Sequence, residues 1–263
     1  MGGMLAGRAA VITGSTSGLG LAMARAFAAE GCAITFNGFR DAEDIGAVMA
    51  ELEEAHGVAH RYDPADLSDG GEAERLLRDA EAAHGGVDIL ANNAGVEYIR
   101  PLEELTDEEW DRCIAVNVTA AFRASRAALP GMKARGWGRI VNTASALGLV
   151  GTPNDAPYVA TKHALAGLTK VIALETAEDG ITCNAICPGW IDTEFSMNTI
   201  DTFMARTGLA WDEGLKQLVS PTQPSWRLID RNHIAALALF LCSDAASQIT
   251  GAALPIDGAW TAK

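Results

Sequence analysis

Long apolar stretches are missing from this chain of 263 residues. The longest runs nine residues, Ile234 to Cys242, well short of the roughly 20 that a membrane-spanning helix needs. No apolar core with a cleavage site stands near the first residues, and position 6 is Ala6 where a myristoylation pattern needs Ser or Thr. The expectation is a cytoplasmic protein without a membrane partner. Basic residues are scarce: Lys and Arg number 20 against 34 Asp and Glu, a net charge of −14. A phosphate backbone or an anionic membrane surface would repel such a chain, which argues against a nucleic-acid partner. Cysteine is sparse and odd in number, with five residues (Cys32, Cys113, Cys183, Cys187, Cys242) and no C-x-x-C pair. They read as small buried hydrophobes in a reducing compartment. The five histidines show neither H-x-x-x-H nor H-E-x-x-H spacing, so no metal site is expected.

Short apolar β-type runs alternate with longer helical patterns. The strands expected are 9–13, 33–37, 59–63, 87–91, 139–143, 182–187 and 254–256. The helices expected are 19–30, 41–56, 68–84, 106–135, 158–178 and 231–242. Strands alternating with helices predict right-handed crossovers and a parallel sheet covered on both faces. The fold class is α/β, a doubly wound sheet in a single domain over 1–263. Residues 194–226 break the alternation and carry Phe195, Met197, Phe203, Met204, Trp211 and Trp226 without a strand. Late in the chain and beyond a strand's C-terminal end, they read as a substrate lid.

The first strand runs into Thr13-Gly14-Ser15-Thr16-Ser17-Gly18-Leu19-Gly20. Glycines allow the backbone to approach a pyrophosphate closely, and the following helix offers its N-terminal amides to the anion. The strand-then-helix context makes this a dinucleotide loop. After the second strand an acid would hold a ribose 2′-hydroxyl, and a base would hold a 2′-phosphate. The chain reads Phe36-Asn37-Gly38-Phe39-Arg40, with neither at the expected place and Arg40 nearby. The cofactor reading is NAD, with NADP second.

Tyr158 and Lys162 stand at i and i+4, on one helical face. A free tyrosine has a pKa near 10, and an ammonium one turn away favours the phenolate. A tyrosine so tuned is a general base for alcohol oxidation. Ser145, just after the fifth strand, is placed to hydrogen-bond a substrate oxygen. Asn117 precedes that strand, and either orients a water or holds Lys162.

With these residues in place the chain resembles the short-chain dehydrogenase/reductase family over essentially its whole length. Thr13 to Gly20 matches the family's cofactor loop, and Asp66-Leu67 its adenine-contacting pair. Asn92-Asn93-Ala94-Gly95 matches the motif after the fourth strand. Pro188-Gly189 and Thr193, with Trp190 and Ile191 between them, match the segment that holds the nicotinamide amide, and Phe39 falls beside the adenosine. Asn117, Ser145, Tyr158 and Lys162 match the catalytic tetrad. The resemblance implies a Rossmann-type sheet of about seven strands, a homotetramer, and reversible hydride transfer between NAD(P) and a hydroxyl or carbonyl. It makes Tyr158 the acid/base and has Lys162 tune it and bind the nicotinamide ribose. Ser145 would steady the alkoxide, and Asn117 would maintain a proton relay. The apolar stretches 234–242 and 252–256 read as an oligomer interface or as internal core.

Within the family the chain is most similar to bacterial D-3-hydroxybutyrate dehydrogenases. The carriers are Asn37-Gly38-Phe39, residues 63–69, Leu174-Glu175-Thr176-Ala177, Ile186 to Trp190, Gln223-Pro224-Ser225 and the tail from Ser243 to Trp260. Those enzymes use NAD with Gly at the position of Gly38. They hold the substrate carboxylate with Gln, His, Lys and Gln where this chain has Glu97, Leu147, Asp155 and Thr199; Trp190 is kept. A cation is lost and two potential anions are gained, which opposes a substrate carboxylate by several kcal/mol, order of magnitude only. The substrate expected is therefore a secondary alcohol or ketone without a free carboxylate, either an aryl or an amino alcohol. Glu97 or Asp155 would pair with an ammonium, or else both face solvent. Leu147, Trp190, Phe195 and Met197 would form the apolar wall. Two other readings stand beside this one. One is a 3-hydroxybutyrate dehydrogenase whose Arg100 or Gln217 holds the carboxylate. The other is a nucleotide-binding scaffold without turnover.

Overall fold

The computed structural model describes residues 3–262. Seven strands form one parallel sheet in the order β3-β2-β1-β4-β5-β6-β7. They are β1 (Ala9–Ile12), β2 (Ala33–Asn37), β3 (Arg61–Asp63), β4 (Ile89–Asn92), β5 (Gly138–Thr143), β6 (Ile181–Pro188) and β7 (Ala253–Ile256). The helices between them are α1 (Gly18–Ala29), α2 (Ala42–His56), α3 (Glu72–His84), α4 (Asp107–Ile114), α5 (Ala120–Arg135) and α6 (Ala156–Glu175). After β6 come α7 (Glu194–Thr207), α8 (Trp211–Val219) and α9 (Arg231–Leu241).

The period of two along each strand builds the core. Ala10, Ile12, Ile34, Phe36, Ile89, Ala91, Val141 and Ile186 face a cluster with α1 and α9. Their neighbours Val11, Leu90, Ile140, Ile181 and Cys183 face the opposite cluster with α3, α5 and α6. A strand whose residues are apolar on both sides belongs in a sheet covered on both faces, as parallel sheets are. Burying one such Val, Leu, Ile or Phe side chain contributes about 1.5–3 kcal/mol. All five cysteines are buried and free. Ile234, Ala235, Ala238 and Leu241 of α9 lie in the core beside α1, while Phe240 of the same stretch is exposed. No helix among the described residues is long and apolar enough to cross a membrane.

The helix expected over 106–135 is interrupted. Residues Ala115–Thr119 form one π turn between α4 and α5. A single inserted residue of this kind rotates the side chains after it, and here it delivers Asn117 to the interior. Thr106 caps α4 with a full capping box to Glu109. Residues 194–226 contain no strand, as expected, but two helices. Ile200, Leu215 and Val219 bury together between them, with Trp190, Met197, Met204 and Trp226 packed around. Met197 thus belongs to this small core, not to the cavity wall expected of it.

The chain order reverses at β1, whose neighbours are β2 and β4. At such a switch point the loops leaving two adjacent strands turn opposite ways and open a crevice at the strands' carboxyl ends. Everything described next lies there.

Candidate active site

A cavity of about 790 Å³ runs along the crevice from Gly14 and Arg40 at one end to Tyr158, Trp190 and Phe195 at the other. Its first half is the glycine-rich loop. Gly14 has φ +62°, and a Cβ there would sit 2.9 Å from the Ala94 backbone; at Gly20 a Cβ would meet the Gly14 carbonyl at 2.3 Å. Only glycine lets these segments close on each other. Thr13 Oγ1 accepts from the amides of Asn93 and Ala94 at 2.9 and 3.0 Å, and Asn93 Nδ2 donates to the carbonyls of Thr13 and Gly14. The loops after β1 and β4 are thereby one unit. Ser17 stands at the N-cap of α1 without a side-chain hydrogen bond, so the first amides of α1 are left for an incoming anion.

Gly14, Thr16, Ser17, Gly18, Leu19, Phe39, Asp66, Leu67, Asn93, Ala94 and Gly95 all line this half, as expected. Ser15 and Gly20 do not. Ser15 is fully buried; its hydroxyl donates to the Ile12 carbonyl at 2.6 Å and accepts from the Asn37 amide at 3.0 Å. It shapes the loop from behind. Asn37 also turns inward, accepting from the Gly14 amide and donating to the Asp63 and Ala65 carbonyls. A cradle of glycines, open helix amides and a polar adenosine-side rim fits a dinucleotide.

The second half holds the proton-transfer residues. Ser145, Tyr158 and Lys162 share one wall. Ser145 Oγ accepts from the Leu147 amide at 3.1 Å and hydrogen-bonds Tyr158. Lys162 Nζ lies 2.7 Å from the Thr143 carbonyl and 5.1 Å from the centre of the Tyr158 ring. Burial drives its amine down to about 8. Burial also pushes the Tyr158 phenol up, and the carboxyls of Glu97 and Asp155 push it further; the Ser145 hydrogen bond opposes them. Burial thus works against the lowering expected from Lys162. Desolvation disfavours the phenolate, and the ammonium is itself weakened by the same burial.

The Asn117 side chain turns to the loop after β4. It neither lines the cavity nor holds Lys162. Its Oδ1 accepts from the Val96 amide at 2.8 Å, and its Nδ2 donates to the Val96 carbonyl at 2.9 Å and to Thr161 Oγ1 at 3.0 Å. It pins the loop that carries Glu97.

Pro188, Gly189, Trp190, Ile191 and Thr193 close the far side. Gln223 Oε1 accepts from the Trp190 amide at 2.9 Å, and Trp190 Nε1 donates to Thr222 at 3.3 Å. The substrate end is walled by Leu147, Trp190 and Phe195 as expected, and by Val96, Ile99, Pro153, Thr199 and Trp260. Of these five, Thr199 alone is marked by the sequence; no local pattern marks the others. Arg100 binds Glu109 at 2.8 Å, and neither Arg100 nor Gln217 lines the cavity.

Glu97 and Asp155 do face the cavity, and their carboxyls hydrogen-bond each other. Burial and the neighbouring Glu97 push Asp155 up to about 8; burial raises Glu97 as well, against the Lys162 charge. The fold thus retains a proton on Asp155 that the unfolded chain gives up near pH 4, so this group's contribution to stability falls as pH rises from about 4 to 8. Asp155→Asn removes that loss. Urea unfolding at pH 5 and pH 9 should show the variant gaining about 1–3 kcal/mol on the wild type between the two. An unchanged difference would mean that Asp155 titrates normally.

Residues 8–203 match the family model described as short chain dehydrogenase. The chain belongs to that family. A D-beta-hydroxybutyrate dehydrogenase of Cupriavidus necator is 45% identical over 261 residues, covering 99% of this chain and all of the relative. One of Rhizobium meliloti is 42% identical over 97% of this chain and 99% of its own. Among solved structures, the L-sorbose reductase of Gluconobacter frateurii, complexed with NADPH and L-sorbose, superposes with a TM-score of 0.93 at 32% identity, covering the whole of both chains. As a short chain dehydrogenase this chain is an oxidoreductase of the nicotinamide-dependent kind, with a small-molecule alcohol or ketone as the substrate class.

Proposed function

We propose that this short chain dehydrogenase interconverts a secondary alcohol and a ketone with NAD(H), on substrates lacking a free carboxylate. The observation that carries the reading is the meeting of Ser145, Tyr158 and Lys162 on one wall of a cavity that continues into the glycine-rich loop. A bound nicotinamide supplies the hydride acceptor in one direction and the donor in the other. In oxidation the Tyr158 phenolate takes the proton of the substrate alcohol and becomes the phenol; in reduction the phenol gives that proton to the ketone oxygen. Ser145 accepts from the Leu147 amide, and its own proton, which it shares with Tyr158 here, would turn to the substrate oxygen, where negative charge develops. Lys162 sits buried against Thr143, and its charge stabilises the phenolate that forms. Gly14, Thr16, Ser17, Gly18 and Leu19 would hold the pyrophosphate, Asp66 and Leu67 the adenine, and Pro188 to Thr193 the nicotinamide. Residues 194–226 form the lid, because Phe195, Ser196 and Thr199 reach the cavity from it. Exposed Phe122 on α5 and Val171 and Leu174 on α6 support a face covered in a homotetramer.

The substrate class rests on Glu97 and Asp155, whose paired carboxyls oppose a carboxylate, and on the apolar wall beside them, which suits an aryl or amino alcohol. The identities of 45% and 42% to D-beta-hydroxybutyrate dehydrogenases favour 3-hydroxybutyrate as a second reading. Steady-state NAD reduction across 3-hydroxybutyrate, neutral aryl alcohols and amino alcohols separates the two. Efficient oxidation of 3-hydroxybutyrate would reject the first.

NAD is favoured by the absence of a base at Ser17 and Gly38. Arg40 is the group that favours NADP: its guanidinium reaches the cavity, 3.3 Å from the Thr16 carbonyl. Arg40→Ala should leave kcat/KM for NAD within about twofold and lower any residual NADP use about tenfold, the 1.4 kcal/mol scale of one charge-assisted contact. Wild-type enzyme that prefers NADP would overturn the assignment.

A further inference from the structure

We propose that Glu97 and Asp155 form a seat for a substrate ammonium group, which enters in place of a proton the two carboxyls share. The inference rests on the oxidoreductase reading and deepens it by naming the charge of the substrate. Glu97 comes from the loop after β4 and Asp155 from the start of α6. The two loops are clamped by the Arg100 amide, which donates to the Asn154 carbonyl at 2.7 Å. The carboxyls meet across that clamp, and two carboxyls in hydrogen-bond contact must hold a proton between them.

Asp155 is only 3% exposed, and its Oδ1 has no hydrogen-bond partner. Its position makes the omission informative. Asp155 is the N-cap residue of α6, where an aspartate ordinarily accepts from the first amides of the helix. Here the side chain makes no capping bond and lines the cavity with Glu97 instead. A buried acid that forgoes its cap and leaves an oxygen unpaired loses stability unless a ligand satisfies it.

The surroundings select the ligand. No Arg or Lys side chain forms an ion pair with either carboxyl among the described residues; Arg100 is taken by Glu109. The titratable groups that face the pair are Tyr158, Cys113 and Lys162, and the Lys162 amine is held by the Thr143 carbonyl. An ammonium brings three donors and one positive charge to two acids that lack both. The balance is simple: one cation enters, the shared proton leaves to solvent, and two carboxylates remain around the ammonium. A neutral hydroxyl would leave the proton where it is.

Three matched alcohols test this: 2-amino-1-phenylethanol, 1-phenylethane-1,2-diol and 1-phenylpropan-1-ol, which differ at one terminal group. The amine should exceed the ethyl compound at least tenfold in kcat/KM, and Glu97→Gln and Asp155→Asn should each bring that ratio close to one. Calorimetry of the amino alcohol binding to the wild-type NADH complex, in phosphate and in Tris at pH 7, should report release approaching one proton. Neutral compounds turned over without amine preference, or amine bound without proton release, overturn the seat while leaving the oxidoreductase reading intact. A diol preferred without proton release would overturn it in favour of polyol recognition. If none of the three is oxidised, the calorimetry still decides: proton release on binding upholds the seat, and its absence rejects it.

Discussion

Tyr158→Phe should lower kcat about 10³-fold, inside the 10²–10⁴ range of a general acid–base group, while the affinity for NADH stays within about twofold. The substitution removes a single oxygen. It leaves the ring against Lys162, the Lys162–Thr143 bond and the glycine-rich loop in place. What is lost is the group that exchanges the substrate proton. Without it the alcohol must lose its proton to water, in a cavity whose walls are mostly apolar. Single-turnover NADH formation and a fluorescence titration of NADH measure the two quantities separately. A phenylalanine variant that turns over normally would remove Tyr158 from the chemistry. A wild-type protein that binds NADH but oxidises nothing would support the non-enzymatic scaffold.

Replacing Glu97, Leu147 and Asp155 together by Gln, His and Lys should raise kcat/KM for D-3-hydroxybutyrate about 100-fold, about 2.7 kcal/mol at 1.36 kcal/mol per decade. Two acids that face the cavity give way to a neutral amide, an imidazole and an ammonium. A substrate carboxylate then meets a cation instead of a carboxyl pair, a reversal worth several kcal/mol in a poorly solvated pocket. The remaining lining, including Trp190, is untouched. The Asp155→Lys change loses no helix cap, since Asp155 does not cap α6 with its side chain. NADH binding serves as the check on folding. An unchanged kcat/KM in a variant that binds NADH would show that Glu97 and Asp155 do not set the substrate charge. The reverse change, an acid pair that already oxidises 3-hydroxybutyrate well, would be visible in the wild type.

Sequence and structure part company at particular residues. Every strand expected from the pattern is present, with ends displaced by at most two residues. The reason is that these strands, β3 (Arg61–Asp63) excepted, are mostly apolar on both faces and bounded by polar or glycine residues. The π turn at Ala115–Thr119 was not legible, because one residue of helical slip leaves no mark on an apolar period. It decided what Asn117 does. Ser15 stands inside the loop and by its position is expected to meet the cofactor, yet its side chain faces inward. A motif gives the order of residues along a turn, not the side to which each points.

The order of residues alone determined that the chain is a parallel α/β protein with a glycine-rich loop after its first strand, and that a tyrosine and a lysine stand one helical turn apart. Those features are local: they depend on spacings of two to four residues that any folded version of the chain must honour. Tertiary structure decided three things. It made Ser145 and Tyr158 hydrogen-bond partners, it set the phenol and the Lys162 amine against the cost of their own burial, and it brought Glu97 and Asp155 from loops 58 residues apart into one carboxyl pair. The physical reason is that desolvation and charge pairing depend on distance in space. That distance is set by how the loops after the neighbouring strands β4 and β5 meet.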